Sequence, residues 1–246
     1  LFGKTFVFSG SEQERNHVMH VLIESCLLSN IPAIVFDQGE NFVGLKQPSP
    51  DAKALKKSKV EIEPVGFPAK VFNVPFDLKV DLKLLNPAGL TQLFALGKNP
   101  VSKAVETVLA ESPKSNIDQV LEGIRAVPEA QLKDFQKKRA LRIVKLLNLR
   151  YAGFFNGPNN IAEVAKSWIR AIGRASLVNL KGLDARQSLL AVHSVVMGLK
   201  EFYAKKGAST ELRAIVFLPE AERVIPIEAE NVLSDEIAKA LVELAG

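Results

Sequence analysis

Hydrophobic residues along this chain fall into blocks of two kinds, and their order already describes an architecture. Ala33-Ile34-Val35-Phe36 is a continuous apolar run closed by Asp37, the pattern of a strand buried on both faces. Ala69–Val74, Ala175–Leu180 and Arg213–Leu218 repeat it, and Phe6-Val7-Phe8 is a shorter β-favouring run near the start. Helical spacing separates these blocks: Val18, Leu22 and Ile23 predict a helix over Glu14–Ser29, and Asp184–Lys206 and Asn231–Ala245 predict two more. Pro75–Asn86 alternates polar and apolar residues, which suits an edge strand or an extended connection. Strand, helix and strand within the first 37 residues predict a right-handed crossover unit. The fold class is therefore α/β, with a mainly parallel sheet and helices on both faces.

The middle of the chain follows a different rule. From Pro87 to Gly173 nothing reads as a strand, while helical periods recur at Leu90, Leu93 and Phe94 and at Val101, Val105, Val108 and Leu109. Ser115 or Asn116 caps a helix running to Arg125, and Pro128 suits the first turn of a helix ending at Arg150. Gly153–Asn160 reads as a loop, and Ile161–Ile172 as a helix with Trp168 on its apolar side. Residues 1–86 and 174–246 then form two parts of one core, and 87–173 a helical insertion. Gly44–Pro68, rich in Pro, Lys and Ser, reads as surface.

Composition is that of an ordinary globular protein, with 47% hydrophobic and 24% charged residues, so charge changes the picture only through its placement. Between Gln131 and Arg150 seven cations oppose only Asp134, a segment at +6 in a chain whose net charge is +5. These cations, Lys137, Lys138, Arg139, Arg142 and Lys145 among them, form either a solvated face or a contact for duplex DNA. Phe154-Phe155 beside them is too little aromatic interleaving for single-strand stacking. A single cysteine, Cys26, excludes an internal disulfide and reads as a small core residue. No apolar run is long enough to span a membrane, so a cytoplasmic protein without a membrane partner is expected. The opening Leu1-Phe2-Gly3-Lys4 lacks an initiating Met and any signal pattern, which predicts a piece of a longer protein.

Candidate chemistry centres on Ser9-Gly10, the turn between Phe6–Phe8 and the first helix. Strand, turn and helix are the frame of a phosphate-binding loop, Gly-x-x-x-x-Gly-Lys-Ser/Thr, whose backbone N–H groups wrap phosphates at a helix N-terminus. Gly10 fits the first glycine, but Arg15, Asn16 and His17 occupy the Gly-Lys-Thr places. His17 and His20 have no Cys or Asp at zinc spacing and read as ordinary helix positions, so no metal site is expected. His193, between Val192 and Val195, reads as a satisfied, partly buried histidine.

The strand Ala214–Leu218 runs into Pro219-Glu220-Ala221-Glu222-Arg223 and, shortly after, Pro226. That stretch resembles the second nucleotide motif, Walker B, of the HerA/FtsK group of P-loop ATPases, where an apolar strand leads into Asp-Glu-Ala-His-Arg. Leu1-Phe2-Gly3-Lys4, Ile31–Asp37 and Val178–Leu183 are similar to further pieces of that group in the same order, so the resemblance covers nearly the whole chain. It implies a P-loop NTPase fold of the RecA/HerA-like kind, Mg-ATP as cofactor, related ATPase subunits in six-membered rings, and duplex DNA as substrate. The departures lie where such a protein does its chemistry. Asn16 stands for the phosphate-binding Lys, His17 for the Mg²⁺-binding Thr, Arg15 for the second glycine and Pro219 for the metal-binding Asp; only Glu220, matching the water-activating Glu, is retained. Glu220 serves equally well as a helix-capping carboxylate. The reading is a catalytically degenerate, pseudo-ATPase domain without cofactor, a nonhydrolysing subunit or scaffold in DNA processing. Two others stay open: an active ATP-driven DNA translocase using Arg15 in place of the Lys with Glu220 as base, and a protein-interaction module working through residues 87–173.

Overall fold

The computed structural model describes residues 4–8, 10–48, 57, 65–93, 99–111, 116–151, 153–155, 161–205, 212–225 and 231–245. Four of the apolar runs become strands of one sheet: β1 Ala33–Asp37, β2 Ala69–Asn73, β3 Ala175–Asn179 and β4 Ile215–Phe217. The sheet is parallel throughout, in the order β2-β3-β1-β4. The register aligns Asp37 with Asn179 and Asn179 with Asn73, so three strands end level.

A helix over Glu12–Leu28, α1, covers one face of this sheet. Its Ile23, Cys26 and Leu27 pack with Ala33, Val35, Ala175, Leu177 and Phe217, joined by Phe42 and Leu45 from the segment after β1. The opposite face is closed as well: Ile34, Phe36 and Val178 are fully buried, and Phe72 meets the Trp168 ring at a centroid distance of 4.9 Å. Burial on both faces is why β1 is apolar without alternation, and each such side chain stabilises the fold by about 1.5–3 kcal/mol. Leu45, within the stretch read as surface, is 2% exposed.

One expected strand does not form. Residues 4–8 make no ladder; Phe6 and Phe8 are 76% and 90% exposed and stack on each other with centroids 6.4 Å apart. The expectation that Phe6–Phe8 is a strand of the sheet, the first of a crossover unit, is therefore corrected. A three-residue run of Phe, Val and Phe has β-propensity but no partner strand, and without ladder bonds it cannot offset the entropy of being ordered.

The remaining helices are α2 Pro87–Leu93, α3 Pro100–Glu111, α4 Ile117–Ala126, α5 Asp134–Arg150, α6 Ile161–Trp168, α7 Ala185–Ala204 and α8 Val232–Ala245. Among the described residues, 87–173 is helical without a strand. Two compact units result: Leu1–Asn73, Ser167–Gly182 and Ser209–Glu220 hold the sheet, and Val74–Lys166, Leu183–Ala208 and Ala221–Gly246 hold most of the helices. Packing thus groups α7 and α8 with the helical region.

Local chemistry explains the helix ends in this second unit. Asn116 Oδ1 accepts from Gln119 N (2.9 Å), and Asp184 and Gln187 cap α7 reciprocally at 2.8 and 2.9 Å. Pro128 does not enter a helix; its carbonyl accepts from Gln131 N and Leu132 N, closing a turn ahead of α5. The alternating stretch after Pro75 is neither an edge strand nor extended throughout: a turn leads into a short extended piece around Lys79 and a 3₁₀ turn over Leu82–Leu84, with Leu78, Val80 and Leu82 buried. It is pinned by Val80 N donating to Phe154 O (2.7 Å) and Ile161 N donating to Lys79 O (2.6 Å).

Candidate functional site

The start of α1 decides what the phosphate-loop frame can do. Ser11 is its N-cap, extended at φ −136 and ψ 151, and its Oγ accepts from Glu14 N at 3.2 Å. Glu12 and Glu14 fill the first turn, where carboxylates complement the helix dipole. Because the helix begins at Glu12, Arg15 N already donates to Ser11 O (3.2 Å), and Asn16 and His17 lie inside the helix. Their N–H groups are spent on the helix ladder and do not face an anion. Gly10 has no atom within 4 Å of where a Cβ would sit, so no close backbone approach calls for glycine there. Ser9 lies outside the described residues.

Beside this helix start is an open cleft of about 900 Å³, lined by Glu12, Glu14, Asn16, His17 and His20 and by Asn41 across from them. Neither Lys nor Arg lines it, and two carboxylates do. Arg15 is not among the lining residues, and its Nε is buried without a hydrogen-bond partner. His20 is engaged elsewhere: Nε2 lies 2.9 Å from Asn41 O and the ring packs on Phe42 at 4.8 Å. Among the described residues, no three His, Cys, Asp or Glu side chains converge as a metal site.

A second polar assembly lies along the carboxyl ends of the strands, where ligands of α/β sheets gather. Asp37, 1% exposed, accepts from Asn41 N (2.9 Å) and Phe42 N (3.1 Å), which folds the chain tightly after β1. Asn179 Nδ2 donates to Asn73 Oδ1 (2.9 Å) and Glu40 Oε1 (3.3 Å), while Lys181 N donates to Asn179 Oδ1 (3.0 Å). Lys181 Nζ closes the set on Glu40 at 2.5 Å, and this hydrogen bond and charge hold the Glu40 carboxyl below its ordinary range. The rim is braced by its own contacts. Sequence reasoning missed Asn73, Asn179 and Lys181; the available signal was that each ends or follows an apolar run.

The structure does not bring Glu220 into the α1 cleft. Glu220 is 8% exposed, after the end of β4 and ahead of a 3₁₀ turn over Ala221–Arg223. Lys138, Arg139, Arg142 and Lys145 are exposed on α5, Lys137 is half-buried, and Lys138 pairs with Asp134 at 2.8 Å. Phe154 and Phe155 are each 2% exposed and pack with Tyr151, so no base can stack on them.

No protein-family model matches the chain, and no curated protein matches it.

His193 on α7 has a partner that spacing could not reveal. Fully buried, it places Nε2 at 2.9 Å from Glu236 Oε2, and Asn86 Nδ2 donates to the other Glu236 oxygen at 2.7 Å. His193 Nδ1 is buried and unpartnered. With the ring fully enclosed, this network serves packing: it ties α7, α8 and the start of α2 together. No helix among the described residues is long and apolar enough to cross a membrane.

Proposed function

We propose that this chain is a catalytically silent, HerA/FtsK-like P-loop domain, acting as a nonhydrolysing subunit or scaffold in an assembly that processes DNA. The ordered strand motifs and the parallel sheet support the P-loop relationship. The observation that carries the silence is the start of α1, where a Ser11 cap and two carboxylates stand in place of a phosphate cradle. A triphosphate needs a cation and two metal-anchoring oxygens; Asn16, His17 and Pro219 supply none of them. Charge-assisted contacts contribute roughly 1.5–3 kcal/mol each, so losing two or three weakens binding by about 10²- to 10⁶-fold. An active translocase would need the Arg15 guanidinium in the cleft, and Arg15 is not among its lining residues. The partners that fit this role are related ATPase subunits, with duplex DNA as the shared substrate.

Isothermal titration with Mg-ATP tests the reading. The unmodified domain should bind no more tightly than about millimolar, and micromolar binding would overturn the proposal. Asn16→Lys, His17→Thr and Pro219→Asp made together separate two causes. Recovery to micromolar affinity means that only ligands are missing; continued silence means that the helix start at Glu12 has removed the frame as well.

A further inference from the structure

The outward face of α5 carries more than charge. Phe135, Leu146 and Leu149 are 66%, 54% and 74% exposed, and Arg139 and Arg142 are exposed between them. Positions 135, 139, 142, 146 and 149 are spaced four, three, four and three apart, the period of a coiled-coil seam. On one helix they form a single stripe about 21 Å long. Lys138, Lys145 and Arg150 flank the stripe and are also exposed. Ala140 and Val144, on the other side of α5, are buried, so the helix is anchored without using this seam.

Three occupants differ in how well they match. A second copy of the chain would set the same cations against one another. Duplex DNA would satisfy the cations but hold three large apolar side chains against sugar and phosphate, with no apolar surface in return. An acidic amphipathic helix meets both demands, placing apolar residues on Phe135, Leu146 and Leu149 and carboxylates opposite Arg139, Arg142 and the flanking cations.

We propose that the exposed seam of α5 is a docking surface for an acidic amphipathic helix of a partner protein, packed in coiled-coil fashion. This gives the scaffold role a place to act and rests on that role only for its purpose. Its test reads docking alone, so a failure of the nucleotide reading would leave it standing, and the reverse.

The probe is a synthetic three-heptad peptide with Leu at a and d and Glu at e and g, followed by fluorescence anisotropy on the whole chain. Two controls are the same peptide with Ser for every Leu, and a duplex oligonucleotide. The Leu peptide should bind, and Arg139→Glu with Arg142→Glu, or Leu146→Ser with Leu149→Ser, should each weaken it roughly tenfold or more without moving the thermal midpoint. Equal binding of the Ser peptide would reduce the seam to bare charge and overturn the proposal. So would tighter binding of the duplex that is indifferent to Leu146→Ser with Leu149→Ser, or no binding of the Leu peptide at about 0.1 mM.

Discussion

α1 and α5 have the same length, 17 residues, and divide the work of the chain in opposite ways. α1 sends Ile23, Cys26 and Leu27 into the core under the sheet and closes its first turn with its own cap and carboxylates. Its exposed positions mix Glu12, Gln13, Glu14, His17 and Ser25 with Val18, Val21 and Leu28, and none of them is Lys or Arg. α5 buries only Ala140 and Val144 and turns cations and large apolar residues outward. The helix that most resembles a ligand loop is thus committed to packing. The helix without any ligand motif holds the uncommitted chemistry.

The sharpest contrast should appear in stability. Ile23→Ala removes a fully buried side chain and should cost about 2–5 kcal/mol, whereas Leu149→Ala, at 74% exposure, should stay within about 0.5 kcal/mol. Equilibrium urea unfolding measures both. Similar losses would mean that the α5 seam is packed and would break the comparison.

Glu236 on α8 is an intermediate case, a charge neither spent on a helix start nor left open. Burial pushes its carboxyl up, but the hydrogen bonds from His193 and Asn86, with the charges of His193 and Lys200, outweigh this and hold it below its ordinary range. The folded state therefore binds this proton more weakly than the unfolded chain. The stabilisation is fully present above the unfolded value of about 4.3 and fades as pH falls through the lower folded value. Glu236→Gln should cost about 1–2 kcal/mol near neutral pH, less than an enclosed pair because part of the carboxylate reaches solvent. Its stability should then vary less than wild type between about pH 5 and pH 3. Parallel pH curves for the two proteins would remove Glu236 from the account.

The smallest effect belongs to the α1 cap. Ser11→Ala should lose about 0.5–1 kcal/mol, with the helix start otherwise kept. Guanidine titration with far-ultraviolet circular dichroism resolves that difference, and no change at all would deny Ser11 its capping role.

How much of this was legible in the sequence depends on the range over which each feature is decided. β1 was readable because a strand buried on both faces is apolar almost throughout, and β3 and β4 carry apolar runs of similar kind, although β4 at the sheet edge is only partly buried. Phe6–Phe8 obeyed the same local rule and failed because a strand also needs a neighbour, which composition does not report. The helix start was legible too: Ser11 followed by Glu14 three residues later is a capping signature. It competes directly with the phosphate-loop alignment over the same residues, and the structure follows the cap. The exposure of Phe135, Leu146 and Leu149 could not be read, because their spacing suits a buried seam equally well. Least legible was the tie of His193 to Glu236 and of Glu236 to Asn86, since partners 43 and 150 positions apart meet only after the helices pack.

The chain's one thiol has a practical side. Cys26 is 7% exposed, and burial raises its pKa, so little reactive thiolate forms at neutral pH. A cysteine introduced at Leu149 or Phe135 would then be the fast-reacting thiol in the molecule. A spin label or fluorophore attached there reports on the open face of α5 with the core chemistry left as it is.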